Sequence, residues 1–269
     1  MWPDCPYEIY LNTEYKTYAS PYFKINVINL PKSDIKQEYT WSKRLRLCLS
    51  KIDSKYILFT LDDIYFLNKI DNKQVESLLN KLDHIKNFAM FCVNNLGPKY
   101  YNTKLDLYEC HKYCEFNGNI EINIWSKEYL LKIIDDKENI WQAELGLKKR
   151  LEETKGKTIS QGNNKVFDFD LTKYGIVRGK WTRGTIDLCQ KYGIDNDFSK
   201  RDFLEIKDNK DVDENVLIWR NYIKDIQKYS NKPKIVYTLK CFRRWMPKSI
   251  LNICVKIKHL ILFRKYKGN

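Results

Sequence analysis

Along most of the chain the apolar positions switch between a period of two and a period near 3.6 residues, the marks of strand and helix. Tyr7-Glu8-Ile9-Tyr10-Leu11 reads as a short strand and Tyr22 to Ile28 as another. Thr40 is placed to N-cap a helix from Trp41 to Ile52, with Trp41, Leu45, Cys48, Leu49 and Ile52 on one face. Tyr56-Ile57-Leu58-Phe59-Thr60-Leu61 is almost wholly apolar and of strand length, which predicts a central strand covered on both faces. It ends on Asp62-Asp63. An amphipathic helix over 72–86 and a strand from Phe88 to Val93 follow. Helix, buried strand, helix, strand is the order of an α/β domain whose sheet is at least partly parallel.

The middle is less regular. Asn94–Asn119, rich in Tyr, Asn and Lys, reads as a long excursion of the kind that shapes a site. Glu121–Trp125 reads as a strand, and Ser126 as the cap of a helix running to Ile134. A second helix spans Asn139–Glu153. Lys165–Phe169 and Tyr174–Val177 are expected as strands, and Thr182–Tyr192 as a helix stopped by Gly193. Further on, Lys248–Phe263 places Ile250, Leu251, Cys254, Val255, Ile257, Ile261 and Leu262 among basic residues. This is a basic amphipathic helix, preceded by Phe242-Arg243-Arg244-Trp245.

Charge sharpens this division. The 269 residues carry 48 Lys+Arg against 34 Asp+Glu, a formal charge of +14. No acidic residue follows Asp225, and twelve basic ones do, so the excess sits in 226–269 on an almost neutral body, 1–225. Two domains are expected with those bounds. In the tail, Arg243, Arg244, Trp245, Lys256 and Lys258 suit an anionic inner-leaflet surface, with the apolar face turned into the lipid. The competing reading docks that face on the body. A nucleic-acid partner is not expected, because the body is neutral and no RNA- or DNA-binding motif is present. A chain with 43% hydrophobic and 14% aromatic residues is not disordered, and 10 Gly and 7 Pro exclude a collagen-like one. No apolar run reaches the roughly 18–20 residues of a membrane span, and no signal segment opens the chain. The expected location is the cytoplasm, peripheral to the inner face of the cell membrane. Eight scattered cysteines, with Cys110 and Cys114 lacking a second pair, read as reduced thiols rather than a zinc site.

The local signal for chemistry is Phe59-Thr60-Leu61-Asp62-Asp63-Ile64-Tyr65-Phe66. Adjacent carboxylates at the C-terminal end of a buried strand stand where open α/β sheets bind ligands. Their mutual repulsion is relieved by a hard divalent cation, Mn²⁺ or Mg²⁺, which can bridge to a diphosphate. The competing reading makes either aspartate the N-cap of the next helix.

Tyr56 to Asp63 resembles the DxD-type motif of GT-A glycosyltransferases in its Leu-Asp-Asp form. The chain is similar to bacterial glycosyltransferases of capsule and lipopolysaccharide gene clusters in an ordered set of blocks. These are Trp2-Pro3-Asp4-Cys5-Pro6-Tyr7, Trp41-Ser42, the Leu-Asp-Asp strand, Asn123-Ile124-Trp125-Ser126-Lys127, Glu138 to Glu144, and Ile176 to Trp181. The resemblance covers roughly residues 2–192. It implies an α/β, GT-A-like (Rossmann-related) fold, with a mixed, mainly parallel sheet flanked by helices. The implied activity is inverting transfer of a sugar from a nucleotide-sugar donor, a UDP-sugar favoured, to a lipid-linked or oligosaccharide acceptor. Asp63 would bind the metal and Asp62 the ribose or the metal's surroundings. Glu144 would be the general base that deprotonates the acceptor, a role that suits a partly desolvated glutamate. The alternative for Glu144 is a solvated residue paired with Lys148. Arg178 and Lys180, bracketing Gly179, would steady the departing diphosphate; the alternative leaves them exposed at a strand end. Trp125 and Trp141 would stack on acceptor sugars, core packing being the usual fate of tryptophan. Trp41 and Arg44 would flank the base or diphosphate. GT-A domains open with a strand and helix that have no counterpart before Trp2. The resemblance therefore implies an N-terminally truncated domain with an open sheet edge, weak donor binding and a tendency to aggregate, the alternative being a catalytically inactive truncated homologue.

Overall fold

In the computed structural model, which describes residues 2–13, 16–30, 39–93, 99–102, 104–110, 117–161, 165–170, 174–177 and 179–204, local chemistry sets the helix starts. The Thr40 side chain accepts from the Lys43 N–H and opens α1, Trp41–Leu49, which buries Leu45, Cys48 and Leu49. Asp71 caps α2, Asn72–Asp83, whose inner face is Val75, Leu78 and Leu82. Ser126 caps the short α3, Lys127–Ile133. Asn139 and Gln142 form a reciprocal capping box at the start of α4, Ile140–Glu153. The last described helix, α5, Gly184–Tyr192, ends at Gly193, whose φ of +63° is the left-handed stop that glycine adopts without strain.

The strands are β1 Ile9–Thr13, β2 Ile25–Asn29, β3 Tyr56–Phe59, β4 Phe88–Cys92, β5 Lys99–Asn102, β6 Leu107–Cys110, β7 Asn123–Ser126, β8 Lys157–Gln161, β9 Ile176–Val177 and β10 Lys180–Trp181. β1 and β2 pair parallel as a separate two-stranded sheet. The main sheet has six strands in the order β3-β7-β4-β8-β6-β5. It is mixed, as expected. β4 and β8 pair parallel, while β3–β7, β7–β4, β8–β6 and β6–β5 pair antiparallel. Four of the six strands point the same way, so the mainly parallel expectation holds for strand direction but not for pairing.

Two expectations are corrected. β3 is not central: among the described residues it is hydrogen-bonded on one side only, to β7. Its apolar run arises because both faces are covered. Tyr56 and Leu58 pack on the cluster built around Val75, Leu82, Phe91 and Phe167, and Ile57 packs on Ile28, Leu30, Cys48 and Ile52. Such a run reports covered faces and says nothing of sheet position. Nor is Lys165–Phe169 a strand. Phe167 plugs into the core, and the backbone around it is satisfied by one side chain, Gln161. Its Oε1 accepts from Val166 N (2.8 Å) and Phe167 N (3.0 Å); its Nε2 donates to Phe167 O and Val93 O, both at 2.9 Å. The strand here is instead β8, whose polar Lys-Thr-Ile-Ser-Gln sequence conceals an interior position between β4 and β6.

The chain divides into two compact units, Met1–Leu217 and Ile218–Asn269. Segment 226–269, with Arg243, Arg244, Trp245, Lys256 and Lys258, lies outside the described residues, as does Arg178. Among the described residues no helix is long and apolar enough to cross a membrane.

Candidate functional site

Asp62 and Asp63 occupy a turn directly after β3, at the C-terminal edge of the sheet. Neither caps a helix, since the next one begins at Asn72 under Asp71. Asp62 is exposed and Asp63 half-buried. The Asp63 Oδ1 atom is shut off from solvent and has no hydrogen-bond partner. Burial pushes the Asp63 carboxyl above the usual carboxylate range. Its own N–H works against that shift, the Asp62 charge adds to it, and the Arg201 charge opposes it. An unmet buried carboxylate oxygen costs about 1–3 kcal/mol or more, which a bound cation would offset. Mn²⁺ or Mg²⁺ fits this donor set, because such ions commonly use one or two carboxylates and take their other ligands from phosphate and water. Among the described residues no group of three or more His, Cys, Asp or Glu converges. The fit is therefore to an ion brought in with a phosphate ligand rather than to an all-protein cage.

The hairpin β9–β10 closes one side of this turn. Ile176 N–H donates to the Asp63 carbonyl at 3.2 Å, so the hairpin is joined to the carboxylates through the backbone. Gly175, at φ +107°, makes the approach possible: a Cβ there would stand 2.2 Å from the Asp63 carbonyl oxygen. Behind it, Gly175 N–H donates to the Thr185 hydroxyl (2.7 Å), and its carbonyl accepts from Thr182 N–H (3.0 Å). Lys180 pairs with Val177 in the hairpin and is exposed. Trp181 N–H donates to Asp202 O (2.9 Å) and Leu204 N–H to Trp181 O (2.7 Å), which fastens the segment after Lys200 to the hairpin.

Trp41 also reaches this end of the sheet. The Trp41 ring meets Phe59, the last residue of β3, edge-on at 6.3 Å. Arg44 donates to the Leu30 carbonyl just past β2 (2.9 Å). Trp125 does not reach it. At 1% exposure, between β3 and β4, Trp125 is a core residue and cannot stack on an acceptor. Trp141 can, being 75% exposed in the first turn of α4.

Glu144 lies one turn further along α4 and is half-buried. Among the described residues it makes no ion pair with Lys148, and burial pushes its carboxyl up. Its helix is positioned against the loop that leads into β7. Gly118, at φ +80°, sits so close that a Cβ would lie 2.6 Å from the Lys148 nitrogen. That loop delivers Asn123 opposite Phe59, at the end of the carboxylate strand. Within α4, Gly146 leaves room for a two-pronged Arg150–Glu138 pair (2.8 and 2.6 Å), into which a Cβ would collide.

The sequence reading missed Gly175. A glycine in the short β segment Tyr174–Val177 was a usable signal of close backbone approach.

No model of a known protein family matches this chain, and neither a curated protein nor a solved structure matches it.

Proposed function

We propose that the chain is a glycosyltransferase of the GT-A kind, moving a sugar from a nucleotide donor, a UDP-sugar favoured, to a glycan acceptor. The observation that carries the reading is the Asp62-Asp63 turn at the C-terminal end of β3, with one buried, unpartnered oxygen on Asp63. Asp63, with Asp62 beside it, would hold Mn²⁺ or Mg²⁺, and the ion when bound would neutralise charge on the donor diphosphate. In the reaction the acceptor hydroxyl oxygen bonds to the anomeric carbon, and its proton passes to Glu144. The anomeric C–O bond breaks, and its electron pair leaves on the diphosphate oxygen. Lys180 and Arg178 would steady the growing negative charge, and the exposed Trp141 would offer its indole to an acceptor sugar. The tail 226–269 would hold the enzyme at the anionic inner leaflet, where a lipid-linked acceptor lies.

Asp63→Ala is expected to lower Mn²⁺-dependent donor hydrolysis at least about 100-fold. Release of nucleoside diphosphate from a panel of sugar nucleotides measures it, and turnover equal to that of the unaltered chain would remove the reading.

Glu144 adds a pH signature. A base works only when deprotonated, so the rate should fall as pH drops through its raised pKa. That acid limb lies above the ordinary glutamate value of about 4.3. Glu144→Gln should abolish the limb and cut transfer about 10²–10⁴-fold. Stability moves the other way. A raised carboxyl pKa opposes folding as pH rises, so the variant should melt no lower than the parent at neutral pH. A pH–rate profile beside thermal melts reads both effects, and an acid limb surviving in Glu144→Gln would assign the base elsewhere.

A further inference from the structure

The inner side of α4 is Ala143, Leu147 and Leu151, all buried. Its outer side carries two apolar side chains that are largely uncovered: Trp141 and Leu145 are each 75% exposed. Four residues apart on one helix, they stand one turn above the other and form a single wedge. The other large apolar side chains exposed among the described residues, Tyr7, Tyr18, Tyr22 and Ile194, lie on other segments of the chain. A lysine stands on either side of the wedge in the sequence. Lys137 is exposed just ahead of the Asn139 cap, and Lys148 is half-buried three residues after Leu145, on the same face. Among the described residues neither closes an ion pair, whereas Lys149 is held by Glu153 at 3.8 Å and Arg150 by Glu138 at 2.6 Å. The acid beside the wedge, Glu144, is half-buried, and Glu152 follows one turn beyond Lys148, away from the apolar pair.

Size and charge decide what such a wedge fits. A tryptophan buries about 150–250 Å². One leucine more does not bring the pair near the roughly 800 Å² that each partner gives to a stable protein interface. A second copy of the chain, or another protein, finds too little surface here. A bilayer needs only a wedge. An indole belongs at headgroup depth, an aliphatic side chain at the acyl boundary, and ammonium groups on flexible stems among the lipid phosphates. Trp141, Leu145 and the two unpaired lysines are that set.

We infer that α4 is a membrane contact on the body of the protein, with Leu145 entering the acyl boundary of an anionic bilayer and Trp141 resting among its headgroups. The contact goes beyond the glycosyltransferase reading and does not depend on it. Headgroup depth is also that of the sugars on a lipid-linked acceptor, so this placement agrees with an indole turned to them. Co-sedimentation of the full chain with phosphatidylcholine vesicles holding about 30% phosphatidylglycerol tests it, in about 0.5 M NaCl. Salt at that level screens the attraction of the basic tail and leaves apolar insertion. Trp141→Ala with Leu145→Ala should lower the partition coefficient at least about tenfold. Tyr22→Ala, which removes an aromatic side chain 83% exposed elsewhere, should change it less than about twofold. At low salt Lys137→Ala and Lys148→Ala should each weaken binding about fivefold, with no effect on vesicles of phosphatidylcholine alone. Both apolar side chains are exposed, so the double variant should melt with the parent. A double variant that sediments like Tyr22→Ala would overturn the inference, and so would a parent that stays off the vesicles in high salt. A lipid-free dimer of the parent that the double variant dissociates would also overturn it, by assigning the face to a second copy. Mn²⁺-dependent donor hydrolysis is read separately, and its absence would remove the glycosyltransferase reading while leaving the membrane contact in place.

Discussion

Gly175→Ala is expected to cost about 3–5 kcal/mol of stability and to abolish whatever binds at Asp63. Two penalties coincide. An L residue at φ +107° is strained wherever it occurs, and here its Cβ would meet the Asp63 carbonyl oxygen at 2.2 Å. That neighbour is backbone, so no side chain can swing aside to make room. Relief requires the hairpin to withdraw, which breaks the Ile176–Asp63 hydrogen bond and unseats the Thr182 and Thr185 contacts behind it. Thermal melts and Mn²⁺ titration read the two consequences separately. Leu188→Ala, which opens a cavity at a buried position of α5, supplies a variant of comparable instability that should keep its Mn²⁺ affinity. Gly175→Ala with unchanged melting and unchanged Mn²⁺ binding would show that the hairpin does not hold the carboxylates.

Gln161→Leu should be about as damaging, by about 4 kcal/mol or more, through unmade hydrogen bonds rather than a clash. The amide uses all four of its hydrogen-bonding positions on Val93, Val166 and Phe167. Leucine keeps most of the volume and strands four buried or half-buried backbone groups. For a domain of this size, a melting temperature roughly 10–15 °C lower is expected. Gln161→Glu separates bonding from shape. Its second oxygen would face the Val93 and Phe167 carbonyls, so the buried carboxyl should take up a proton more readily than in the unfolded chain. The cost should be small below the unfolded pKa of about 4.3 and should grow as pH rises above it. A Gln161→Leu protein that melts like the parent would refute the role. The effect reaches the candidate site, because Asp168 accepts from Leu67 N–H (2.8 Å) and its own N–H donates to Asn68 (3.1 Å). The chain leaving the carboxylate turn is tied down through the same segment.

These two residues mark the boundary of what could be read from residue order. Thr40, Ser126 and Gly193 were legible as helix ends because a cap bonds to backbone only three or four positions away. The amphipathic faces of α1 and α2 were legible because the helical period is itself local. Asp62-Asp63 was legible as a candidate site because the strand before it is apolar and stops abruptly. By contrast, β8 has almost no apolar pattern, and its strand state comes from β4 and β6 on either side. Phe167 looked like part of a strand, yet its backbone bonds go to a glutamine side chain six residues earlier. Trp125 and Trp141 stand in comparable blocks of sequence, and only their placement separates a core residue from an exposed one.

From order alone came the α/β alternation, the helix boundaries, the carboxylate pair and the concentration of positive charge after Asp225. Each depends on residues within a turn or two of one another, or on simple counting. The edge position of β3, the pairing of the sheet, the loss of Trp125 to the core and the approach of Gly175 to Asp63 came from contacts between distant segments. Asp63 and Ile176 share one hydrogen bond across more than a hundred residues. A bond of that kind leaves no period in the sequence, because its energy depends on where the rest of the fold carries the two groups.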